Sequence, residues 1–323
     1  MSKSKEKEKK PSSKYRSKIG GQALIDGIMM RGVEKSAMAC RMPDGSIHLE
    51  VWDTNAGKKK PVWRKIPIVR GCISFVQSVL SGYRCMMKSA ELTSDLEEDE
   101  EEETGRVTQW ILDHFGDKLI HGATVVGTVL GVILAVVLFI YLPSLAVMGL
   151  NQLVDLGWWR AVIEGGIKIL ILVGYLGLVG LMGEIKKTYR YHGAEHKTIF
   201  CLENGLPLTV ENIRKQRRFH PRCGTSFLIL TLLVSILVSS LVTWDTLWLR
   251  VALKILVLPL IMGISFELIQ FAGRHDNLLT KIISAPGLWL QRLTVLEPDD
   301  GMIECAIQAI TPCIPEDREK DQW

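Results

Sequence analysis

The chain has 323 residues, 47% of them hydrophobic and 23% charged, with a formal net charge of +4 and a mean hydropathy of +0.18. So apolar a chain with this many charges is not an evenly mixed soluble surface, and its apolar residues must be gathered into stretches. Seven cysteines, an odd and scattered set, argue against a disulfide framework.

Residues 1–18 are rich in Lys and Ser and nearly devoid of apolar side chains, the composition of a disordered basic tail. Such a tail suits anionic lipid headgroups, a ribosomal RNA surface, or solubility alone. Residues 19–94 read as a small α+β region facing the cytosol. Within it, Gly20–Gly32 mixes glycine with apolar residues but lacks the dinucleotide and Walker patterns, so its glycines are assigned to tight turns and close packing. Ala37–Met42 and Ile47–Trp52 flank Pro43-Asp44-Gly45-Ser46, a turn signal that predicts a β-hairpin. Ile68, Cys72, Phe75, Val79, Tyr83 and Met86 recur at helical spacing, predicting a helix from Ile68 to Leu92 that packs on the hairpin or lies on a membrane surface. In Asp95–Glu103 only Leu96 is uncharged, which marks residues 95–106 as a solvated acidic linker. Val107–Leu119 reads as a short amphipathic lead-in to the first long apolar stretch.

Residues 107–271 contain four apolar stretches: Gly122–Gly149, Ala161–Gly183, Ser226–Val242 and Leu247–Phe271. At about 1.5 Å per helical residue, such stretches match a hydrocarbon core of about 30 Å. The expected fold is therefore mainly α, a polytopic membrane protein with about four transmembrane helices beside the small N-terminal α+β region. Glu164, Arg250 and Lys254 fall near one end of their spans and Glu267 near the other. There long side chains reach the interface, the alternative being a polar path through the bundle. Gly127 and Gly131 form G-x-x-x-G, and glycine recurs at Gly174, Gly177, Gly180 and Gly183, surfaces that let helices approach closely, within the chain or in a homo-oligomer. The connection 184–225 carries nine Lys and Arg residues, while the others carry little beyond Arg160 and Arg250. That bias orients the connection and both termini toward the cytosol of the plasma membrane. The start of the chain holds no apolar run, so no cleavable signal peptide is expected.

The basic connection carries the chemistry. The second span is expected to continue as helix through Tyr191-His192-Gly193-Ala194-Glu195-His196-Lys197 to about Leu202, with Asn204-Gly205 as its stop. Thr209 then caps a further helix to Arg218. His192 and His196 stand one turn apart with Glu195 on the same arc. This is H-x-x-E-H, the reverse of the zinc-protease motif H-E-x-x-H. His220 and Cys223, two residues apart in His220-Pro221-Arg222-Cys223, offer ligands from a second direction, and imidazole with thiolate suits zinc. Four ligands (His192, His196, His220 and Cys223) would close a structural site. Three would leave a position for water, with Glu195 as general base. The bland alternative has these histidines hydrogen-bonding to carbonyls and to Glu195. Arg217, Arg218 and Arg222 would attract an anionic substrate or a lipid phosphate. Residues 272–323 close the chain as an interfacial segment, in which Trp289 and apolar residues interleave with Lys281 and Arg292, and a tail with a short helix near Gly301–Ile310.

Four motifs in order, Gly20-Gly21-Gln22-Ala23 through Met29-Met30-Arg31-Gly32, Tyr191–Lys197, His220-Pro221-Arg222-Cys223-Gly224-Thr225-Ser226-Phe227, and Pro286-Gly287-Leu288-Trp289 through Glu297-Pro298-Asp299-Asp300, resemble the bacterial YqhQ-type membrane proteins. That family is of unknown function and is often labelled as predicted metal-dependent enzymes. Asp26 stands where the family pattern often has Glu. The resemblance implies a multi-spanning membrane protein and delivers no activity. Two functions remain open from sequence. One is a zinc-dependent hydrolase acting at the membrane surface. The other is a non-catalytic, zinc-stabilised accessory or scaffold of membrane-protein translocation and insertion machinery.

Overall fold

The computed structural model describes residues 15–54, 66–93, 122, 125–241, 246–275 and 277–322. The basic tail up to residue 14, the acidic linker and the lead-in at 107–119 lie outside these residues.

Four strands, β1 (Gly20–Leu24), β2 (Gly27–Arg31), β3 (Lys35–Arg41) and β4 (Ile47–Asp53), form an antiparallel meander in chain order. The expected hairpin is β3–β4, turned at Gly45 with φ +83°. The glycine-rich stretch read as a packing segment is a second hairpin, with Leu24 opposite Gly27 and a two-residue turn at Ile25 and Asp26. Asp26 adopts φ +48°, a left-handed conformation that a short polar residue tolerates. Period two sorts β2 between two cores. Ile28 and Met30 join the larger core, while Met29 faces the other side with Leu24 and Met38.

Helices cover both sheet faces. On one side lies α1 (Pro67–Thr93), whose Cys85 enters the smaller core. Its N-terminal half crosses another helix, α7 (Leu247–Arg274). The crossing is at Gly71 against Gly263, where a side chain on Gly71 would meet the Gly263 carbonyl at 2.8 Å. Arg70 and Glu267 make a bidentate pair beside it. So α1 does not choose between sheet and membrane region; it bridges them. On the other sheet face lie α4 (Gly183–Glu203) and α9 (Asp300–Ile310), which bury Tyr191, Ala194, Ile303 and Ile310 against Ile28, Met30 and Ala37. Residues 15–18 belong to this unit rather than to a disordered tail. Ser17 is buried and donates to Asp321 at 2.6 Å, as does Tyr15.

The membrane region comprises α2 (Val125–Leu153, with a π turn over Val137–Tyr141), α3 (Arg160–Val179), α6 (Gly224–Ser240) and α7. Three helices among the described residues are long and apolar enough to cross a membrane, and α6 is a shorter apolar helix of 17 residues. This is a polytopic membrane protein. Three expectations are corrected by the structure. First, α3 does not run on through the histidine motif. The chain breaks between Val179 and Gly183, where Met182 is extended, and α4 starts anew. Second, Glu164, Arg250 and Lys254 do not reach outward; all three are buried, as is Lys168. Glu164 receives Lys168 at 3.0 Å and also pairs with Lys254, which donates to Ser144 at 2.9 Å. Pairing inside the bundle replaces the water an outward reach would have found. Third, a side chain added at Gly127, Gly131, Gly174 or Gly177 would meet nothing within 4 Å, so among the described residues the close approach within the chain is not found at these four glycines.

The last long helix, α8 (Leu278–Thr294), has an inverted amphipathic pattern. Its small and polar residues Thr280, Ser284, Gly287 and Gln291 are buried, whereas Leu278, Ile282 and Trp289 are exposed. Gly287 lets it lie against Ser226 of α6, whose Cα a β-carbon would meet at 2.6 Å. The apolar outer face is what a membrane-bordering helix presents.

Candidate metal centre

Helix α4 puts His192, Glu195 and His196 on one arc and buries most of it. Gly193 is required by the same packing. A side chain there would strike the Leu296 carbonyl, because the strand-like segment after α8 runs against α4 with Leu296 N donating to Tyr189 O at 3.0 Å. Cys223 arrives from the far side as the N-cap of α6, its sulfur accepting from Thr225 N at 3.5 Å. One ligand atom from each of His192, His196 and Cys223 falls within 4.8 Å of the other two.

The ring nitrogens are assigned by their partners. His192 Nδ1 lies 3.0 Å from the Thr294 carbonyl, and His196 Nδ1 lies 2.6 Å from the Arg218 carbonyl. A carbonyl only accepts, so both Nδ1 atoms carry hydrogen and donate. Both Nε2 atoms are then directed to the shared space. His192 Nε2 is 3.0 Å from Cys223 Sγ, and His196 Nε2 is buried with no hydrogen-bond partner among the described residues. Glu195 Oε2 is likewise buried and unpartnered. An orphaned buried polar atom costs about 1–3 kcal/mol, so each of the two favours a ligand or cation that would satisfy it. Imidazoles held by Nδ1–H donation to carbonyls are the usual orientation for metal-binding histidines.

Burial opposes charge throughout the cluster, yet its members compensate one another. Burial disfavours a Cys223 thiolate, but the His192 and His196 charges outweigh it and hold the thiol well below its ordinary value. Burial likewise opposes protonation of His192, and the Cys223 sulfur beside it prevails and raises the imidazole. Glu195 is raised, chiefly by burial, with His192 and His196 pulling the other way. The other buried thiols behave oppositely: burial pushes Cys40 up to about 12 and Cys305 up to about 11.

His220 stands beside this set rather than in it. Its Nε2 lies 3.7 Å from Glu203 and 3.3 Å from the Arg222 guanidinium, although its ring remains 5.6 Å from that of His196. Burial pushes it down to about 4. Arg222 also turns inward, pairing with Glu203 and donating to Ser17 O at 2.8 Å. Arg217 is exposed and lies over the Phe200 ring at 5.4 Å, while Arg218 reaches Glu297 at 3.6 Å. Sequence alone does not reveal α8 as a wall of the site. Gln291 accepts from His220 N and donates to His220 O, and Thr294 orients His192. Gln291 and Thr294 are visible in the sequence only as part of a resemblance motif, since a glutamine and a threonine carry no ligand signature. The helix capped by Thr209 is also shorter than expected, α5 (Val210–Arg214), which frees residues 215–223 to wrap over the site.

Residues 66–316 match the family described as "Protein of unknown function (DUF1385)". The chain belongs to this family. It is 35% identical over 294 residues to the "Uncharacterized protein YqhQ" of Bacillus subtilis (strain 168), covering 90% of both chains. No solved structure matches it.

Proposed function

We propose that this is a plasma-membrane protein with a cytosol-facing zinc centre that serves as a hydrolase at the membrane surface. The observation that carries the reading is the convergence of His192, His196 and Cys223 within 4.8 Å beside the unpartnered His196 Nε2 and Glu195 Oε2. Three protein ligands are the catalytic count, since four would close the coordination shell. Bound zinc would supply Lewis acidity and activate a water. Glu195, beside His196 in the sequence and with its carboxyl raised by burial, is the candidate proton acceptor. Thr294 and the Arg218 carbonyl hold the two imidazoles in place, and His220 with Glu203 and Arg222 braces the loop that carries Cys223. The orientation toward the cytosol rests on the nine Lys and Arg residues of the 184–225 connection.

The burial of His196 and Cys223 supports a second reading, a zinc-clamped scaffold without turnover that docks onto translocation or insertion machinery. Zinc per chain, measured by mass spectrometry on the detergent-purified protein, tests both. We expect about one zinc, lost in His196→Ala and Cys223→Ala and retained in Glu195→Gln. Absence of zinc from the wild type, with none taken up on addition, would overturn the metal reading in both forms. With zinc retained, loss of cellular function in Glu195→Gln favours the hydrolase, and an unchanged phenotype favours the scaffold.

A further inference from the structure

A cleft of about 660 Å³ opens beside the metal centre, between α4, the loop after α5, and α8. Lys197, Arg217, Arg218 and Arg292 line it, with Glu297 as the one carboxylate. Lys197 follows His196 directly in sequence and is 4% exposed. Its ammonium is held by the Arg214 carbonyl at 2.9 Å and by Glu297. Glu297 itself is half exposed and also meets Arg218. Four cations against one acid leave the cleft strongly positive. Arg217 and Arg292 are exposed, so they can turn to an incoming anion without losing a buried partner. The remaining wall is apolar: Leu288 and Trp289 line it, and Trp289 is 53% exposed on the outer face of α8. That face continues through Ile282 and Leu278. Tryptophan, arginine and an apolar helix face together are the composition of a membrane interface.

We infer that this cleft binds the headgroup of a phosphate-bearing, net-anionic amphiphile, whose chains lie along the Trp289 side of α8, and that the Glu297 carboxylate occupies the phosphate position until such a headgroup displaces it. A carboxylate and a phosphate oxygen satisfy the same ammonium and guanidinium donors, and the phosphate offers more acceptors and more charge. The inference rests on the membrane-surface part of the reading above and not on the metal. It also reassigns the anion-attracting role. Arg222, committed to Glu203 and Ser17, takes no part, while Lys197 and Arg292 do.

The test is lipid retention by the delipidated full-length protein, counted by native mass spectrometry with phosphatidic acid, phosphatidylcholine and inorganic phosphate as probes. We expect phosphatidic acid to bind about tenfold more tightly than phosphatidylcholine, the equivalent of one charge-assisted contact. Arg217→Gln with Arg292→Gln should weaken phosphatidic acid by about tenfold, and Glu297→Gln should tighten it several-fold by removing the resident carboxylate. Trp289→Ala should weaken the lipid and leave inorganic phosphate unchanged. Equal binding of the two lipids, or indifference to both the arginine pair and Glu297→Gln, would overturn the inference. Inorganic phosphate binding as tightly as phosphatidic acid, with Trp289→Ala without effect, would identify free phosphate and overturn the amphiphile. A wild-type unfolding temperature in detergent in every variant reports an intact fold. Lipid selectivity in a protein that binds no zinc would sink the metal reading and leave this one standing.

Discussion

At Glu164 the helix bundle closes a polar cluster on itself; at His196 the fold leaves one open. Both are buried and both hold ionisable side chains. Around Glu164, the carboxylate meets Lys168 and Lys254, and Lys254 donates again to Ser144. Around His196, two histidines are oriented by carbonyls so that their remaining nitrogens face Cys223, and His196 Nε2 and Glu195 Oε2 find nothing. A closed cluster is a packing device, since its charges are matched by the neighbours that bury them. An open one carries a standing desolvation cost that only a further group can relieve. Burial alone does not separate structure from function here; satisfaction of the donors and acceptors does.

The largest effect that sharpens this contrast is at the closed cluster. Glu164→Gln should lower stability by about 3–5 kcal/mol, because two buried lysines lose their counter-charge. Replacing Glu164, Lys168 and Lys254 together by leucine or methionine should recover most of the loss. Thermal unfolding in detergent reads both, and a triple variant as unstable as the single one would show that this cluster does more than pack. At the open cluster the loss is smaller. Without metal, Cys223→Ala should cost about 1–2 kcal/mol, because α6 loses its capping sulfur and His192 Nε2 its partner, and it should abolish the gain from zinc, which is about 2.7 kcal/mol at a hundredfold excess over the dissociation constant. Zinc should also shield Cys223 from alkylation in the wild type, and equal alkylation with and without zinc would break the contrast.

The smallest effect is pH dependence in the brace beside the open site. His220 is held down to about 4 in the fold, with burial as the main cause, against an ordinary value near 6.5. The unfolded chain therefore binds a proton first, and the stability His220 contributes is present above about pH 6.5 and lost as the pH falls toward 4. Glu203 is held below its ordinary value by His220 and Arg222 despite burial, so its contribution goes only at lower pH. Stability, read from the unfolding temperature, should decline between pH 6.5 and 4, by at most about 1.4 kcal/mol per pH unit per group, and the decline should be shallower in His220→Gln. A parallel decline in the two proteins would remove His220 from the brace.

Much of this architecture is legible in the residues. Apolar runs mark the membrane helices, Pro43-Asp44-Gly45 marks the β3–β4 turn, and helical spacing puts His192 and His196 together with Glu195. The rest is decided by partners far along the chain. The β1–β2 hairpin hides because Gly20, Gly21 and Gly27 dilute the strand signal, while close approach to Glu195 and Cys40 is what demands glycine at Gly21 and Gly27. The break before α4 is set by Met182 turning extended, and neither Gly180 nor Gly183 alone announces it. The spacing of His220 to Cys223 suggests a ligand, but Glu203 and Arg222 hold His220 aside. Lys254 near the end of its span looks free to reach for water, because the sequence does not say that Glu164 and Lys254, 90 residues apart, meet.

The larger core joins strands early in the chain to a helix late in it. Ile28, Met30 and Ala37 pack against Ile303 and Ile310 of α9, and Ser17 and Tyr15 are held by Asp321. During synthesis α9 emerges after the membrane helices, so until it does this face of the sheet is covered by α4 alone. Until then Tyr191 and Ala194 have the sheet but not Ile303 and Ile310, and Thr294, just before α9, likewise follows the membrane helices, so His192 gains its orienting carbonyl late. The geometry of the candidate site is thus completed only after the membrane helices are made, and a chain truncated before Thr294 would lack the carbonyl that orients His192.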